Sequence, residues 1–290
     1  MTLTVGLPAV LVALAAAYAV GVRRLSPPAR RSWTAGMRRR GAVRVTAFLL
    51  GLASVAGALL GPMDRLADQS FAWHMVEHMI LILVSAPLLA AGGAGVPLLL
   101  ALPRTWRPRA ARVRHAYLTA PSLRPLRLPV TAFLAQVGTL GLWHFPSLYD
   151  AALRSEPVHV TEHLTLLLSS CWFWWYLVSP SRLRLMGGIA VLYVFIDAAP
   201  GTLLGALLTL AQHPLYPLQA AEVSASGRNP LVDQQLAGLA MWVPAGVVYL
   251  LAALALFLPW FGSIGAVEGK GRGAYAVPEP VLTAPGEVVR

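Results

Sequence analysis

The chain of 290 residues is 57% hydrophobic and 12% charged, with a mean hydropathy of +0.64 and a formal net charge of +11. Soluble domains carry about 25% charged residues and about 45–50% apolar ones, so the composition argues against a water-soluble enzyme, a disordered chain or a nucleic-acid-binding domain. Such a domain gathers its basic residues on one folded polar surface, whereas here they lie between apolar runs, and all but Lys270 of the 23 are Arg.

A bilayer core about 30 Å thick needs about 20 mostly apolar residues per helix. Seven segments meet that requirement, near 3–21, 43–61, 73–92, 129–145, 159–178, 186–210 and 233–260. They predict an all-α polytopic membrane protein with seven transmembrane helices over residues 1–261. No positively charged residue precedes the first segment, so it is expected to be a retained span rather than a cleaved signal peptide. The loop after the first span carries Arg23, Arg24, Arg30, Arg31, Arg38, Arg39 and Arg40. Arg104, Arg107, Arg109, Arg112, Arg114, Arg124 and Arg127 follow the third, and Arg182 and Arg184 the fifth. The intervening loops hold only Arg65, Arg154 and Arg228. Positive residues are retained in the cytoplasm, which places the N-terminus outside and the C-terminus inside. Residues 262–290, rich in Gly, Pro and charge, are expected to form a disordered cytoplasmic tail.

That topology collects six of the seven histidines at the outer ends of spans: His74, His78, His144, His159, His163 and His213. His115, in a basic loop, is assigned no role. His74-Met75-Val76-Glu77-His78 and His159-Val160-Thr161-Glu162-His163 are two copies of H-x-x-E-H. On a helix, residues i, i+3 and i+4 share one face, so each copy presents two imidazoles and a carboxylate together, a metal-chelating pattern. For a single interfacial histidine, bridging headgroup and hydrocarbon is the competing reading; the doubled motif favours metal or haem. Pro62 and Asp64 precede the first copy as Pro146 and Asp150 precede the second, which suggests degenerate parallel repeats facing a shared axis.

Other polar groups at membrane depth have two readings each. Asp197 is either a proton-carrying or gating group, or a hydrogen-bonded carboxyl beside Pro200. Asp233, Gln234 and Gln235 either cap the seventh helix or, with Met241 deeper in the span, contribute to a metal site. Met75, Met79 and Cys171 offer soft ligands that select Cu(I), although methionine in a membrane helix is more often packing. The aromatic run Trp172–Tyr176 reads as a cytoplasmic-side belt.

At these residues the chain resembles a known family, the CtaG-like assembly factors of bacterial caa(3)-type cytochrome c oxidase. The matching stretches are HMVEHMILILVSAPLLAAG from His74, WHFPSLYDAAL from Trp143, HVTEHLTLLL from His159 with FWW after it, and DQQLAGLAMWVP from Asp233. They cover most of spans three to seven; the first two spans match only in hydropathy and in GPMD. In that family the acidic position of each histidine motif often holds Gln, so the resemblance bears on the histidines more than on Glu77 and Glu162.

The resemblance implies a multi-pass protein of the bacterial inner membrane that is no enzyme, works with cytochrome c oxidase subunits in the bilayer, and handles copper. The expected ligands are His74, His78, His159 and His163, with His144 as a further ligand or orienting group. Asp64, Glu77, Glu162, Asp233, Met241 and His213 are secondary candidates. Copper as Cu(I) or Cu(II) is the expected metal, and the donors also suit zinc. Two alternatives stay open: a b-type haem held by imidazoles of two helices, and an intramembrane H-x-x-E-H metallopeptidase with Asp233 as a distant ligand. A retinal protein is excluded by the lack of an intramembrane Lys for a Schiff base.

Overall fold

The computed structural model describes residues 2–25, 35–181 and 183–274. Arg30, Arg31, Arg182 and 275–290 lie outside the described residues. The described chain is helical without strands: α1 (Thr2–Arg24), α2 (Ala35–Leu59), α3 (Pro62–Ala67), α4 (Phe71–Gly92), α5 (Gly95–Ala101), α6 (Arg107–Thr119), α7 (Pro129–Trp143), α8 (Pro146–Arg154), α9 (Glu156–Val178), α10 (Gly188–Leu210), α11 (Pro217–Ala225) and α12 (Pro230–Ala274). Proline opens α3, α7, α8, α11 and α12. Its fixed φ suits the first helical position, where a missing N–H costs nothing.

All seven expected segments are helical, and five of the helices are long and apolar enough to cross a membrane: Gly6–Arg24, Arg38–Ala67, Phe71–Gly92, Gly188–Leu210 and Pro230–Ile264. The fourth segment, expected to reach residue 145, stops at Trp143. Pro146 drives Phe145 into an extended conformation (φ −74°, ψ 127°) and ends the helix before it. α9 has the length, 23 residues, but Glu156, His159, Glu162 and His163 fill its first two turns and Ser169 and Ser170 its middle. Its polarity keeps it below the apolarity of the other five. The tail boundary also differs from expectation: α12 continues past residue 262 to Ala274, since no proline interrupts the chain between Pro259 and Pro278.

The core is built around α4, α9 and α12. α10 lies along α12, with Gly205 and Gly238 at the crossing. A Cβ on Gly238 would sit 2.4 Å from Thr209 Oγ1 and 2.5 Å from the Gly205 carbonyl oxygen, so the seam demands glycine. α2 packs on the second half of α4, and α9 packs on that half and on α7. The α4 backbone widens into a π turn over Leu81–Ser85. Trp174 Nε1 of α9 donates to the Ile82 carbonyl oxygen there (3.0 Å), and Ser85 Oγ meets Ser54 Oγ of α2 (2.8 Å). π turns recur at functional sites, and this one follows the first histidine motif directly.

Trp172 and Trp175 of the aromatic run are half-buried, but the other three rings do not form a belt. Phe173, Trp174 and Tyr176 are buried, with Trp174 stacked on Tyr249 at 5.8 Å and Phe173 on Tyr193 at 4.7 Å. The ring faces are consumed by packing against α10 and α12 rather than by a headgroup layer.

The molecule has two chemically distinct ends. Arg24 Nη1 donates to the Leu100 and Ala101 carbonyl oxygens (2.9 and 3.2 Å) and Arg107 Nε to that of Leu102 (2.9 Å), joining the first and third basic loops. At the opposite end of α4, Arg228 donates to the Gln69 carbonyl oxygen, joining the second and sixth loops.

Candidate metal centre

Each histidine motif sits at the start of a helix preceded by a serine, and the side chain of the first serine caps its helix. Ser70 precedes α4 and its Oγ accepts from the Trp73 N–H (3.4 Å); Ser155 holds the equivalent position before α9. The two helices run parallel in one register. His74 stacks on His159 (ring centroids 5.3 Å apart, planes at 19°), His78 meets His163 at 5.1 Å, and Ala86 faces Cys171, all separated by 85 positions. The repeat expected from Pro62 and Pro146 is thus visible as a shared order, with α3 leading into α4 as α8 leads into α9.

The pairing is reciprocal. Glu162 of α9 faces the α4 histidines, its Oε1 lying 3.9 Å from His74 Nε2 and 3.6 Å from His78 Nε2. Glu77 of α4 faces the α9 histidine, with Oε2 3.7 Å from His163 Nε2. Ligand atoms fall within 4.8 Å of one another in three overlapping groups: His74–His78–His163, His74–His159–Glu162 and Glu77–His159–His163. Two donors on opposite sides of a metal at about 2.0–2.2 Å each are about 4 Å apart, so the groups have the dimensions of a coordination shell.

Burial makes the chemistry explicit. His74, Glu77, His78, Glu162 and His163 are buried, while His159 is only half-buried. Both oxygens of Glu77 and of Glu162, both nitrogens of His78, and Nε2 of His74, His144, His159 and His163 have no hydrogen-bond partner. Each unsatisfied buried polar atom costs about 1–3 kcal/mol, and natural structures leave few of them. Each neutral imidazole carries one lone pair beside its N–H, so the unpartnered imidazole nitrogens and carboxylate oxygens together form a donor set of the kind a cation can take.

His144 belongs at the edge of this group. It ends α7, its Nδ1 lies 2.7 Å from the Leu140 carbonyl oxygen, and its ring is 6.5 Å from that of His78. The backbone contact makes Nδ1 the protonated nitrogen and leaves Nε2 as a lone pair.

The secondary candidates divide. Glu77 and Glu162 are central. Asp233 lies outside the three ligand groups: Ser70 Oγ donates to its Oδ1 (2.6 Å) and the Phe71 N–H to its Oδ2 (2.7 Å), so the carboxylate of α12 caps the N-terminus of α4. The positive end of that helix and two donors consume its charge. His213 is exposed, and its carbonyl oxygen accepts from Gln234 Nε2 (3.5 Å), outside every ligand group. Asp64 stands half-buried in α3, also outside them, and Met241 lies deeper along α12.

Two tyrosines not singled out in the sequence close the site from the side. Tyr149 of α8 meets His74 edge-on at 5.6 Å and donates to Gln219 Oε1 (2.9 Å); Tyr216 packs on Tyr149 at 4.8 Å and donates to the His144 carbonyl oxygen (2.8 Å). Burial, then the charge of Glu162, pushes the Tyr216 phenol up to about 12, and burial likewise raises Tyr149 well above its ordinary value. Both stay neutral donors. The one available signal was Tyr149 within the Pro146 helix that leads to the second motif.

The family model described as cytochrome c oxidase caa3 assembly factor matches residues 16–263. The chain is similar to an uncharacterized protein of Mycobacterium bovis and to one of Mycobacterium tuberculosis, each 26% identical over 261 residues, covering 86% of this chain and 37% of the relative. An uncharacterized protein of Mycobacterium leprae is 24% identical over 271 residues, covering 87% and 38%. The chain therefore spans less than two fifths of the length of these relatives. No solved structure matches.

Proposed function

The chain belongs to the cytochrome c oxidase caa3 assembly factor family, and from that premise we propose that it holds copper at the paired histidine motifs for delivery to the oxidase. The observation that carries this reading is the set of unpartnered buried imidazole and carboxylate atoms on α4 and α9. Imidazole suits copper, zinc and iron; service to a copper enzyme selects copper among them. His74, His78, His159 and His163 are the ligands, His144 completes or orients the set, and Glu77 and Glu162 supply charge. Two ionised carboxylates among neutral imidazoles neutralise one divalent ion or two monovalent ones, which a low-dielectric surrounding requires.

Release needs a way out, and His159 is the least buried of the four motif histidines. An ion exchanged through His159 leaves the buried groups in place. The sidedness of the arginines adds that this end faces the extracytoplasmic side, with seven spans and an outside N-terminus. α7, which packs on α9 by Ala132, Gln136 and Trp143, and the polar α9 are the two further spans this reading requires.

Haem is the weaker reading. The imidazole rings of the two motifs lie 4.3–5.9 Å apart, a spacing that fits an ion and leaves no slot for a macrocycle between them. The peptidase reading loses its distant ligand to the α4 cap.

The test is metal analysis of protein purified anaerobically with Cu(I), with Cu(II) and with Zn(II). Copper bound by the parent and lost from the His74→Ala, His78→Ala, His159→Ala, His163→Ala quadruple variant supports the assignment. Full copper stoichiometry in that variant, or a Soret band in the parent, overturns it.

A further inference from the structure

Inward of the histidines, a cavity of about 30 Å³ lies between α4, α7, α10 and α12, and its lining includes Met79, Gln136, Asp197, Met241 and Tyr249. Asp197 is 5% exposed; its Oδ2 accepts from the Tyr249 hydroxyl (2.8 Å), and Oδ1 has no partner. Gln136 is held by its carbonyl, Oε1 accepting from Ser169 (3.1 Å) and Ser170 (2.8 Å). The walls therefore combine two thioethers from different helices with one carboxylate whose remaining oxygen is unsatisfied. Met79 follows His78 directly, so the cavity wall starts about 100° around α4 from the histidine face.

We propose that this cavity is a second metal site, taking one soft monovalent ion such as Cu(I) or Ag(I) on the thioethers of Met79 and Met241, with Asp197 as counter-charge. Thioether sulfur selects soft ions and discriminates against Zn(II). Charge gives the same selection: one carboxylate neutralises a monovalent ion, whereas a divalent ion leaves a net charge at membrane depth. The volume exceeds the roughly 10–15 Å³ that one water-sized occupant needs. Tyr249 fixes the carboxylate by its second oxygen and leaves Oδ1 free for the cavity. The site stands apart from the histidine centre, so either can fail without the other.

Ag(I) binding to the full chain in detergent, on a Cys171→Ser background that removes the only thiol, tests this. The histidine quadruple variant is expected to retain one equivalent of Ag(I) and bind no Zn(II). Met79→Leu with Met241→Leu, near-isosteric changes, is expected to weaken that equivalent at least roughly tenfold, whereas Met75→Leu, outside the cavity lining, leaves it unchanged. In the histidine-intact protein the same pair of changes is expected to remove one Ag(I) equivalent and the sulfur scattering in the silver absorption spectrum while Zn(II) binding persists. That arm serves if the quadruple variant does not fold. Ag(I) stoichiometry and spectrum indifferent to both methionines would overturn the proposal and leave the cavity a packing void or a water site only.

Discussion

The assignment of Asp233 turns on two hydrogen bonds. A carboxylate at the expected outer end of a span beside histidines reads equally as cap or ligand in the sequence, because both roles want the same group at the same depth. The structure resolves this by aiming both oxygens at Ser70 and the Phe71 N–H. Asp233→Ala strands two buried donors, so it is expected to destabilise the fold by about 1–3 kcal/mol. Melting followed in detergent reports that loss, while Asp233→Asn, which keeps an acceptor, is expected to melt within a few degrees of the parent and to bind metal at full stoichiometry. Loss of metal from a folded Asp233→Asn protein would return this residue to the ligand set. Glu77→Gln and Glu162→Gln are expected to behave in the opposite manner. Each removes one of the two charges that offset the ion, so each weakens Cu(II) binding by about 10–100-fold without lowering stability, as titration against a competing chelator will show. The histidines were legible because a spacing of four on a helix is a chemical statement in itself. That Glu162 would serve the histidines of the other helix, and Glu77 likewise, was not, since it depends on the register between α4 and α9.

At the scale of elements, that register accompanies a common order of proline-opened short helix, serine and histidine helix in α3–α4 and α8–α9. The sequence carries the order openly, at Pro62, Ser70, Pro146 and Ser155. It conceals the π turn over Leu81–Ser85, because a widened backbone leaves no residue signature; its stabilising partner, Trp174, lies 92 positions away. The same blindness explains the aromatic run, whose composition fits a membrane belt until α10 and α12 are packed on it. The α10–α12 seam is a stricter case. Gly238→Ala places a methyl group against Thr209 Oγ1 and the Gly205 carbonyl oxygen, and overpacking of this kind costs about 1–3 kcal/mol. α12 also carries the α4 cap, so the strain is expected to lower metal retention together with thermal stability. Gly246 lies on the same helix with nothing within 4 Å of an added Cβ. Gly246→Ala is expected to raise stability by about 0.5–1 kcal/mol through helix propensity alone. Equal melting of the two alanine variants would refute the seam as the reason for glycine at Gly238.

At the scale of the whole molecule, charge and chemistry separate along α4, whose 22 residues span ~33 Å at 1.5 Å per residue. The first histidine motif opens it, with the second beside it on α9, and the loops that carry Arg24 and Arg107 meet beyond its other end. The excess of +11 is therefore a gradient in space rather than a uniform property, and arginine is retained on the cytoplasmic side during insertion. Ser224, exposed in α11 near the histidine end, and Arg112, exposed in α6 at the basic end, give this a direct measure. On a Cys171→Ser background, Ser224→Cys is expected to react with a membrane-impermeant maleimide in intact cells, and Arg112→Cys only after permeabilisation. The reverse pattern would invert the topology and direct the histidine centre to the cytoplasm. The proposed delivery to the extracytoplasmic side would then require the metal to cross the bilayer. With the arginine end inside, as the proposed function requires, His159, the least buried of the four proposed histidine ligands, opens on the extracytoplasmic side.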